Sequence, residues 1–398
     1  MSKLEELIKE FCPNGVEYIS VEELLKEKTI ASITPSLKIK RNDYKDFGEI
    51  AIISQEEEYI SGYCNILDKK IVDGQYVCFG DHTENVKYVD FRFVQGADGL
   101  KIICCNNKEK IDIKYFYYAV CNFYKRHNNY ERHYKYFVEL QIPLPALPVQ
   151  REIVRILDSF TLYSAELTAE LTARRKQYEF YRDKLLTFEQ PEVKQIPLGK
   201  LAKFTYGYTD VAKDVGDARF IRITDINEDG CLSSGNCKYI TLNDESKKYL
   251  LKEGDLLLAR TGATYGKTLY FPNNEPAVYA SFLIKIDLDN SVILNRYYWH
   301  FSKSNLYWKQ ADKYVSKAGQ QQFNTNAVSR VIVPVPSIEV QERIVKVLDN
   351  FDEICSNLKI GLPAEMEKRQ QQYEYYRDKL LEFNVNINKD INITGGSR

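Results

Sequence analysis

The stretch QREIVRILDSF, Gln150 to Phe160, returns almost letter for letter as QERIVKVLDNF, Gln341 to Phe351. Each copy follows a proline-punctuated lead-in, IPLPALPV from Ile142 and VPVPSIEV from Val333. Each runs on to a second shared phrase, QYEFYRDKLLTF from Gln177 and QYEYYRDKLLEF from Gln372. A leading strand repeats as well, VEYISVEEL from Val16 and VKQIPLGKL from Val193. A repeat on this scale decides the fold before any single residue does, because one duplicated frame carries two copies of whatever it holds. The unit is a leading strand, a variable segment, a proline lead-in and a long helix.

The helical phrases have a readable period. Ile153, Ile156, Phe160, Tyr163, Leu167, Leu171, Tyr178, Tyr181 and Leu185 keep alternating three-four steps with one added four. Ile344, Val347, Phe351, Ile354, Leu358, Leu362, Met366, Arg369, Tyr373, Tyr376 and Leu380 do the same. These read as coiled-coil seams with stutters, against the plainer alternative of a helix facing its own domain's core. At ~1.5 Å per residue the first connector, about 39 residues, spans roughly 58 Å. Gly361-Leu362-Pro363 predicts a break in the second, since proline cannot donate to the preceding turn and clashes with it. From Ser164 a four-residue echo, SAEL, TAEL, TARR, makes the first connector adjustable by about one turn, ~6 Å per unit.

Between the connectors, residues from about Ile19 to Leu140 and from about Ile196 to Val331 mix short apolar strands with helical stretches. EIAIIS, QYVCF and GDLLLAR read as strands, and KYFYYAVCNFY as a helix. One register joins the two segments: GQYVCFGDHTENVKY from Gly74 aligns without gaps on GDLLLARTGATYGKT from Gly254. The expected fold class is α/β: two mixed α/β recognition domains separated by two long antiparallel coiled-coil helices, with a pseudo-twofold internal repeat. The expected boundaries are 1–148 and 191–339 for the domains, 149–190 and 340–385 for the helical spacers, and 386–398 for a flexible tail.

Composition narrows the functional classes. The chain has 398 residues, 44% apolar and 28% charged, and no apolar run approaches the ~18 residues that span a membrane. The start, MSKLEELIKE, lacks the apolar core of a signal peptide, so a cytoplasmic location is expected. Nine cysteines without C-x-x-C spacing or matched histidines read as buried thiols rather than metal ligands or disulfides. TGATYGKT from Thr261 is one residue short of a phosphate-binding loop and is followed by LYFPNNEP, not by a helix. His82, His127, His133 and His300 form no metal or triad spacing. No catalytic residue, metal or bound cofactor is expected in this chain.

Recognition chemistry remains. SLKIKR brings Lys38, Lys40 and Arg41, and GDHTENVK brings His82, Thr83, Asn85 and Lys87. The matching loop brings Arg260, Thr261, Thr264, Tyr265 and Lys267, and KAGQQQFNTN brings Gln320, Gln321, Gln322 and Asn324. Arginine and lysine suit the major-groove edge of guanine, glutamine and asparagine that of adenine, and glycine-rich loops with lysine and threonine suit phosphate. The formal net charge of −1 does not oppose this, because a small basic face can sit on a neutral body.

The connector phrases, the opening LIKEFCPNGVEY and the GLPAEMEKR phrase at Gly361 resemble the specificity subunit of type I restriction-modification enzymes. The resemblance covers the full chain. It implies two target-recognition domains that each read one half of a split site in double-stranded DNA. It also implies two modification subunits carrying adenine-N6 methylation with S-adenosylmethionine, and restriction subunits carrying cleavage with ATP and Mg. The TAEL-like units resemble that family's spacer repeats. Partner contacts would fall on Arg151, Arg155, Arg174, Arg175 and Arg182, and on Arg343, Lys368, Arg369 and Arg377. The competing readings are a self-sufficient methyltransferase or nuclease with a divergent site, and a coiled-coil adaptor that never touches DNA.

Overall fold

A computed structural model describes residues 2–383 apart from 36, 66–71, 97–98, 190–192, 228, 234, 274, 317–320 and 357–360. The tail expected over 386–398 lies outside the described residues, as does Gln320. The chain divides into two compact units. Unit 1 runs from the start to Ala165 and resumes at Lys368, and unit 2 is Glu166–Glu367. No helix among the described residues is long and apolar enough to cross a membrane.

Unit 1 opens with α1 (Lys3–Phe11), whose Ser2 and Glu5 form a capping box, then β1 (Tyr18–Ser20) and α2 (Val21–Lys26). Strands β2 (Ile30–Ile33), β3 (Ile50–Ile53), β4 (Gly62–Cys64), β5 (Tyr76–Gly80), β6 (Val86–Val89), β7 (Phe93–Gln95) and β8 (Leu100–Cys105) follow. After them come α3 (Ile113–Phe123), α4 (Tyr134–Glu139), β9 (Gln141–Pro143) and α5 (Leu147–Leu185), which continues into unit 2. Unit 2 adds β10 (Lys194–Pro197), β11 (Ala202–Tyr206), β12 (Ala218–Ile221), β13 (Tyr239–Ile240), β14 (Leu256–Ala259), β15 (Thr268–Tyr270), β16 (Ala277–Tyr279) and β17 (Leu283–Leu288). It closes with α6 (Asn295–Ser302), α7 (Asn305–Tyr314), α8 (Thr325–Val328), β18 (Ile332–Val335) and α9 (Ile338–Ser356). The last helix, α10 (Leu362–Leu381), starts with Pro363 in its first turn directly after the non-helical Gly361, the place where the break is predicted.

The duplication is visible in the strand order. Unit 1 holds the sheets β2-β8-β5-β6 and β4-β3-β7, and unit 2 holds β11-β17-β14-β15 and β13-β12-β16. In each three-stranded sheet the central strand runs parallel to one neighbour, β3 to β7 and β12 to β16. The leading strand and the proline lead-in, separated by the whole variable segment, pair antiparallel in both units, β1 with β9 and β10 with β18. The gap-free register is corrected by one residue beyond the loop. Tyr76 pairs with Val89, whereas Leu256 pairs with Tyr270, so the second loop is one residue longer. The partner of Leu258 is Thr268, and Thr268, not Lys267, is the counterpart of Lys87.

Each unit completes its core with the long helices. Val149, Ile153 and Leu157 of α5 share an apolar cluster with Leu381 of α10 in unit 1. Tyr178 and Leu186 share one with Ile344 and Leu348 of α9 in unit 2. Phe160 stacks on Tyr376 with ring centres 5.6 Å apart, and Phe351 stacks on Tyr181 at the same distance. The first phrase of one repeat thus meets the second phrase of the other in both units, and the paired segments run antiparallel. The seam itself is corrected. Tyr163, Val347 and Ile354 are exposed, whereas Ile153, Tyr178 and Ile344 of the same stripes are buried in the domain clusters.

The helix-to-domain joint is copied residue for residue. Gln150 is fully buried; its Oε1 accepts from the backbone N–H of Asp112 at 2.9 Å, and its Nε2 donates to Lys110 O and Pro145 O. Gln341 does the same with Leu294 N–H, Val292 O and Pro336 O. Asp158 is met by Lys114 Nζ and the Tyr118 hydroxyl at 2.8 and 2.7 Å. Asp349 is met by Arg296 Nε and His300 Nε2, each at 2.7 Å. Tyr115 and Tyr297 donate their hydroxyls to Pro143 O and Pro334 O, both at 2.9 Å.

Candidate nucleic-acid interface

In unit 2 the sequence-predicted loops converge at one end of the β11-β17-β14-β15 sheet. Arg260 directly follows β14. Its N–H donates to Phe282 O, and its carbonyl accepts from Phe323 N–H at 2.7 Å. The QQF segment is bridged to the same edge through Thr261 and Gln322, and Gly262 N–H donates to Gln321 O. Gln321 and Gln322 are exposed beside the partly exposed Arg260, while Asn324 caps α8 by accepting from Ala327 N–H. Tyr206, at the end of β11, and Phe282 flank the guanidinium of Arg260, with ring centres 5.2 and 5.4 Å from its central carbon. These two aromatics were not among the sequence candidates. They reach the site by sheet pairing from positions far along the chain, and only their exposure, 42% and 50%, marks them.

Other candidates in this loop serve the domain. Thr261 is buried, so it is not a DNA contact. The Tyr265 hydroxyl donates to Asp312 at 2.7 Å, and burial, together with the carboxylate beside it, pushes its pKa up to about 12. Thr264 donates to Thr261 O. Lys267 lines a cavity of mixed charge with Arg175, Arg182, Lys303, Asp229 and Asp352, apart from the Arg260 edge.

In unit 1 the loop after β5 is tied inward. Thr83 Oγ1 and Asn85 Nδ2 both donate to Gln55 O, and Asn85 Oδ1 accepts from Arg126. Between them Glu84, at φ 56°, is buried and accepts from Tyr124 OH and from the N–H groups of His127 and Asn128. Burial would raise its pKa, but these hydrogen bonds outweigh it and hold it at about 2. Lys87 is corrected from DNA contact to internal clamp. It is buried, with its pKa lowered by desolvation, and its ammonium donates to Ser54 O at 3.0 Å and to Glu58 O. A polar loop reads as solvated in sequence, whereas here its donors are spent on backbone carbonyls. Lys87→Met, which keeps the stem and removes the donors, is expected to cost about 2 kcal/mol of stability while leaving duplex affinity unchanged once the protein is folded. Urea unfolding and duplex titration check it, and lost affinity at full stability would return Lys87 to the interface.

What unit 1 does present is a basic and aromatic concavity where Lys38, His82, Lys101, Arg132 and Tyr134 line one hollow with Asp81. His82 stacks on Tyr130, which is 91% exposed, and its Nδ1–H donates to Glu131 O. Lys101, Arg132 and Tyr130 were missed, although the stretch YKRHNNYERHYKY that holds two of them is visibly rich in basic and aromatic residues. Lys40 and Arg41 are exposed, Arg41 pairing with Glu56 at 3.1 Å. Groups of three or more His, Cys, Asp or Glu arranged to hold a metal are absent among the described residues.

The partner candidates divide by burial. Arg151, Arg155, Arg343, Lys368 and Arg369 are exposed on the helices, Arg155 paired with Glu152 at 2.7 Å, and Arg175 is exposed and Arg174 partly so. Arg182 is corrected. Only 8% exposed, it lies over the Tyr178 ring and donates to Asp183, so it belongs to the core of unit 2. Arg377 is its repeat counterpart, partly covered and donating to Asn122 at 2.9 Å.

The two equivalent loop regions carried on one repeated scaffold can be set beside known proteins. The family model for the type I restriction modification DNA specificity domain matches residues 13–174 and, a second time, residues 191–368. The chain belongs to that family. Among type I restriction specificity proteins, it is 30% identical to the EcoR124I/EcoR124II specificity subunit of Escherichia coli, across 96% of this chain and 97% of that one. It is 29% identical to a putative type I restriction enzyme specificity subunit of Haemophilus influenzae, across 82% and 86%. The fold of a type I restriction-modification S subunit from M. genitalium matches with a TM-score of 0.59 at 13% identity, across 92% of this chain and 96% of that one. A chain from a structure addressing assembly and conformational transition of the type I R-M system matches with 0.55 at 15% identity, across 92% and 98%. In this type I specificity chain the two matched spans each contain one sheet pair and one loop region. DNA sequence recognition is thereby the role of the duplicated domains.

Proposed function

We propose that this chain is the DNA-reading subunit of a type I restriction-modification complex, in which each unit reads one half of a split site in double-stranded DNA. The chain has no catalytic site of its own in this reading. Adenine methylation with S-adenosylmethionine belongs to two modification subunits, and ATP- and Mg-dependent cleavage to restriction subunits. The exposed basic residues Arg151, Arg155, Arg343, Lys368 and Arg369 are the docking candidates on the repeated helices. The observation that carries the proposal is the identical strand order of the two units combined with unlike loop chemistry, a His82–Tyr130 pair and lysines in one, a flanked Arg260 with glutamines in the other. One frame holding two different edges is suited to reading two different sequences.

Sequencing of methylated adenines in cells with and without this chain tests it. The expected result is a two-part motif that appears only with the chain. Methyl transfer by the purified chain alone would favour an enzyme, and the absence of any sequence-dependent methylation would favour an adaptor. The same assay tests the spacer. No residue from 161 to 177 of α5 is buried, so deleting Thr168–Leu171 removes about one helical turn without opening a core. The expected outcome is the same two half-sites with a gap shorter by one or two base pairs. A changed half-site sequence would contradict the spacer role.

A further inference from the structure

We infer that Arg260 is a prearranged reader of one guanine in the half-site of unit 2; this rests on the DNA-reading function proposed above and names the base. Arginine is the side chain that spans guanine O6 and N7 with two parallel N–H groups, which requires its plane to be held and its terminal nitrogens to be free. Both conditions are met. The Nε–H donates to Ser281 O at 3.1 Å, which fixes the roll of the guanidinium. Tyr206 and Phe282 flank it, and the Tyr206 hydroxyl is itself fixed by Thr325 Oγ1 at 3.2 Å. Among the described residues the two terminal nitrogens of Arg260 have no hydrogen-bond or ion-pair partner. Arg222 and Arg296, in the same unit, are instead engaged by Asp225 and Asp349.

A flexible surface arginine would lose much of its rotamer freedom on binding and serves a phosphate as well as a base. One already confined has that loss behind it and presents a single orientation. The backbone is equally constrained, since the N–H of Arg260 is held by Phe282 and its carbonyl by Phe323. At the equivalent place in unit 1 stands Gly80, so the first half-site lacks this contact and serves as an internal control.

The experiment is methylome sequencing of cells carrying the complete complex with wild-type chain, Arg260→Ala, Arg260→Lys, Phe282→Ala or Tyr206→Phe. In wild type the unit 2 half-site should contain an invariant G·C pair. Arg260→Ala should lose roughly tenfold to a hundredfold of the preference for guanine at that one position, with the unit 1 half-site intact. Arg260→Lys should lose most of it, because one ammonium does not reproduce the fork. Phe282→Ala should relax the same position partially, and Tyr206→Phe, which releases the ring from Thr325, should relax it less than Phe282→Ala does. A uniform fall in methylation with an unchanged motif would overturn the inference and make Arg260 a phosphate contact, as would a motif and occupancy that do not change at all. If Arg260→Ala abolishes methylation at both half-sites, the Arg260→Lys and Phe282→Ala motifs decide, and an unrelaxed position in both overturns it. Absence of any two-part motif in wild type sinks the DNA-reading function itself, a result distinguishable from a wild-type motif that is indifferent to Arg260.

Discussion

Replacing Gln341 with leucine should remove about 3 kcal/mol from the stability of unit 2, and replacing Gln150 with leucine should do the same to unit 1. Each glutamine satisfies one backbone N–H and two backbone carbonyls at 2.7–3.0 Å. Leucine fills the volume but leaves three main-chain groups without their partner. Each such loss costs on the order of 1 kcal/mol, and more where water cannot enter. Both side chains have zero exposure, while the carbonyl of Val292 lies nearer the surface, which is why the sum is set at about 3 rather than higher. Glutamate is the sharper control: it keeps an acceptor for the N–H but turns a carboxylate toward two carbonyls, so Gln341→Glu should be no better than Gln341→Leu. Urea unfolding gives the magnitude and hydrogen exchange the location. All three bonds of each glutamine stay inside its own unit, so exchange should accelerate in that unit alone. A loss below about 1 kcal/mol, or one spread evenly over both units, would remove the glutamine clamp as the reason the repeat opens on this residue.

These glutamines also show what could be read before any coordinates. The duplication, the long helices and the break before Pro363 were legible because they are local: a repeated phrase, a period and a proline act over a few residues. The pairing of β3 with β7, or of β1 with β9, joins segments separated by tens of residues and leaves no local mark. The extra residue in the second loop was hidden for the same reason, since an alignment of letters cannot show that Tyr270 and not Leu269 faces Leu256. The candidate loop residues part company in the structure. Arg260, Gln321 and Gln322 reach one edge, while Lys87, Thr261 and Arg182 turn inward because a nearby carbonyl, strand or aromatic ring takes them up. Tyr206 and Phe282 could not be assigned to the site from sequence, because the antiparallel pairing of β11 with β17 is what brings their ends together.

Lowering the pH from 7 to 4.5 should weaken unit 2 selectively, and His300→Gln should abolish most of that loss. His300 is fully buried between the helices and the domain. Its Nε2 faces Asp349 Oδ1 at 2.7 Å, and its Nδ1 faces the Tyr178 hydroxyl at 3.1 Å. A carboxylate only accepts, so Nε2 carries the proton, and Nδ1 accepts from tyrosine in a neutral ring. Burial, with the nearby cations of Arg296 and Lys303, outweighs the attraction of Asp349 and brings the histidine from its ordinary 6.5 down to about 4. Between those two values the unfolded chain holds a proton that the folded chain does not. Stability therefore falls as pH is lowered through 6.5, and the loss is complete near 4, where it reaches about 3 kcal/mol. Asp349 stays charged throughout this window because His300 and Arg296 hold it below its usual range in spite of burial. Glutamine reproduces the neutral ring's donor and acceptor without titrating. Unit 1 provides the comparison, since Tyr118 stands where His300 does and donates its hydroxyl to Asp158 at 2.7 Å, and burial raises the tyrosine further above its ordinary pKa, far from this window. Hydrogen exchange at pH 7 and pH 5 should show the helix joint of unit 2 loosening in the wild type and not in His300→Gln. An equal loss in the variant would place the sensitivity elsewhere, and a loss centred on unit 1 would overturn the assignment, because Glu84, brought from 4.5 down to about 2, keeps its contribution throughout this window.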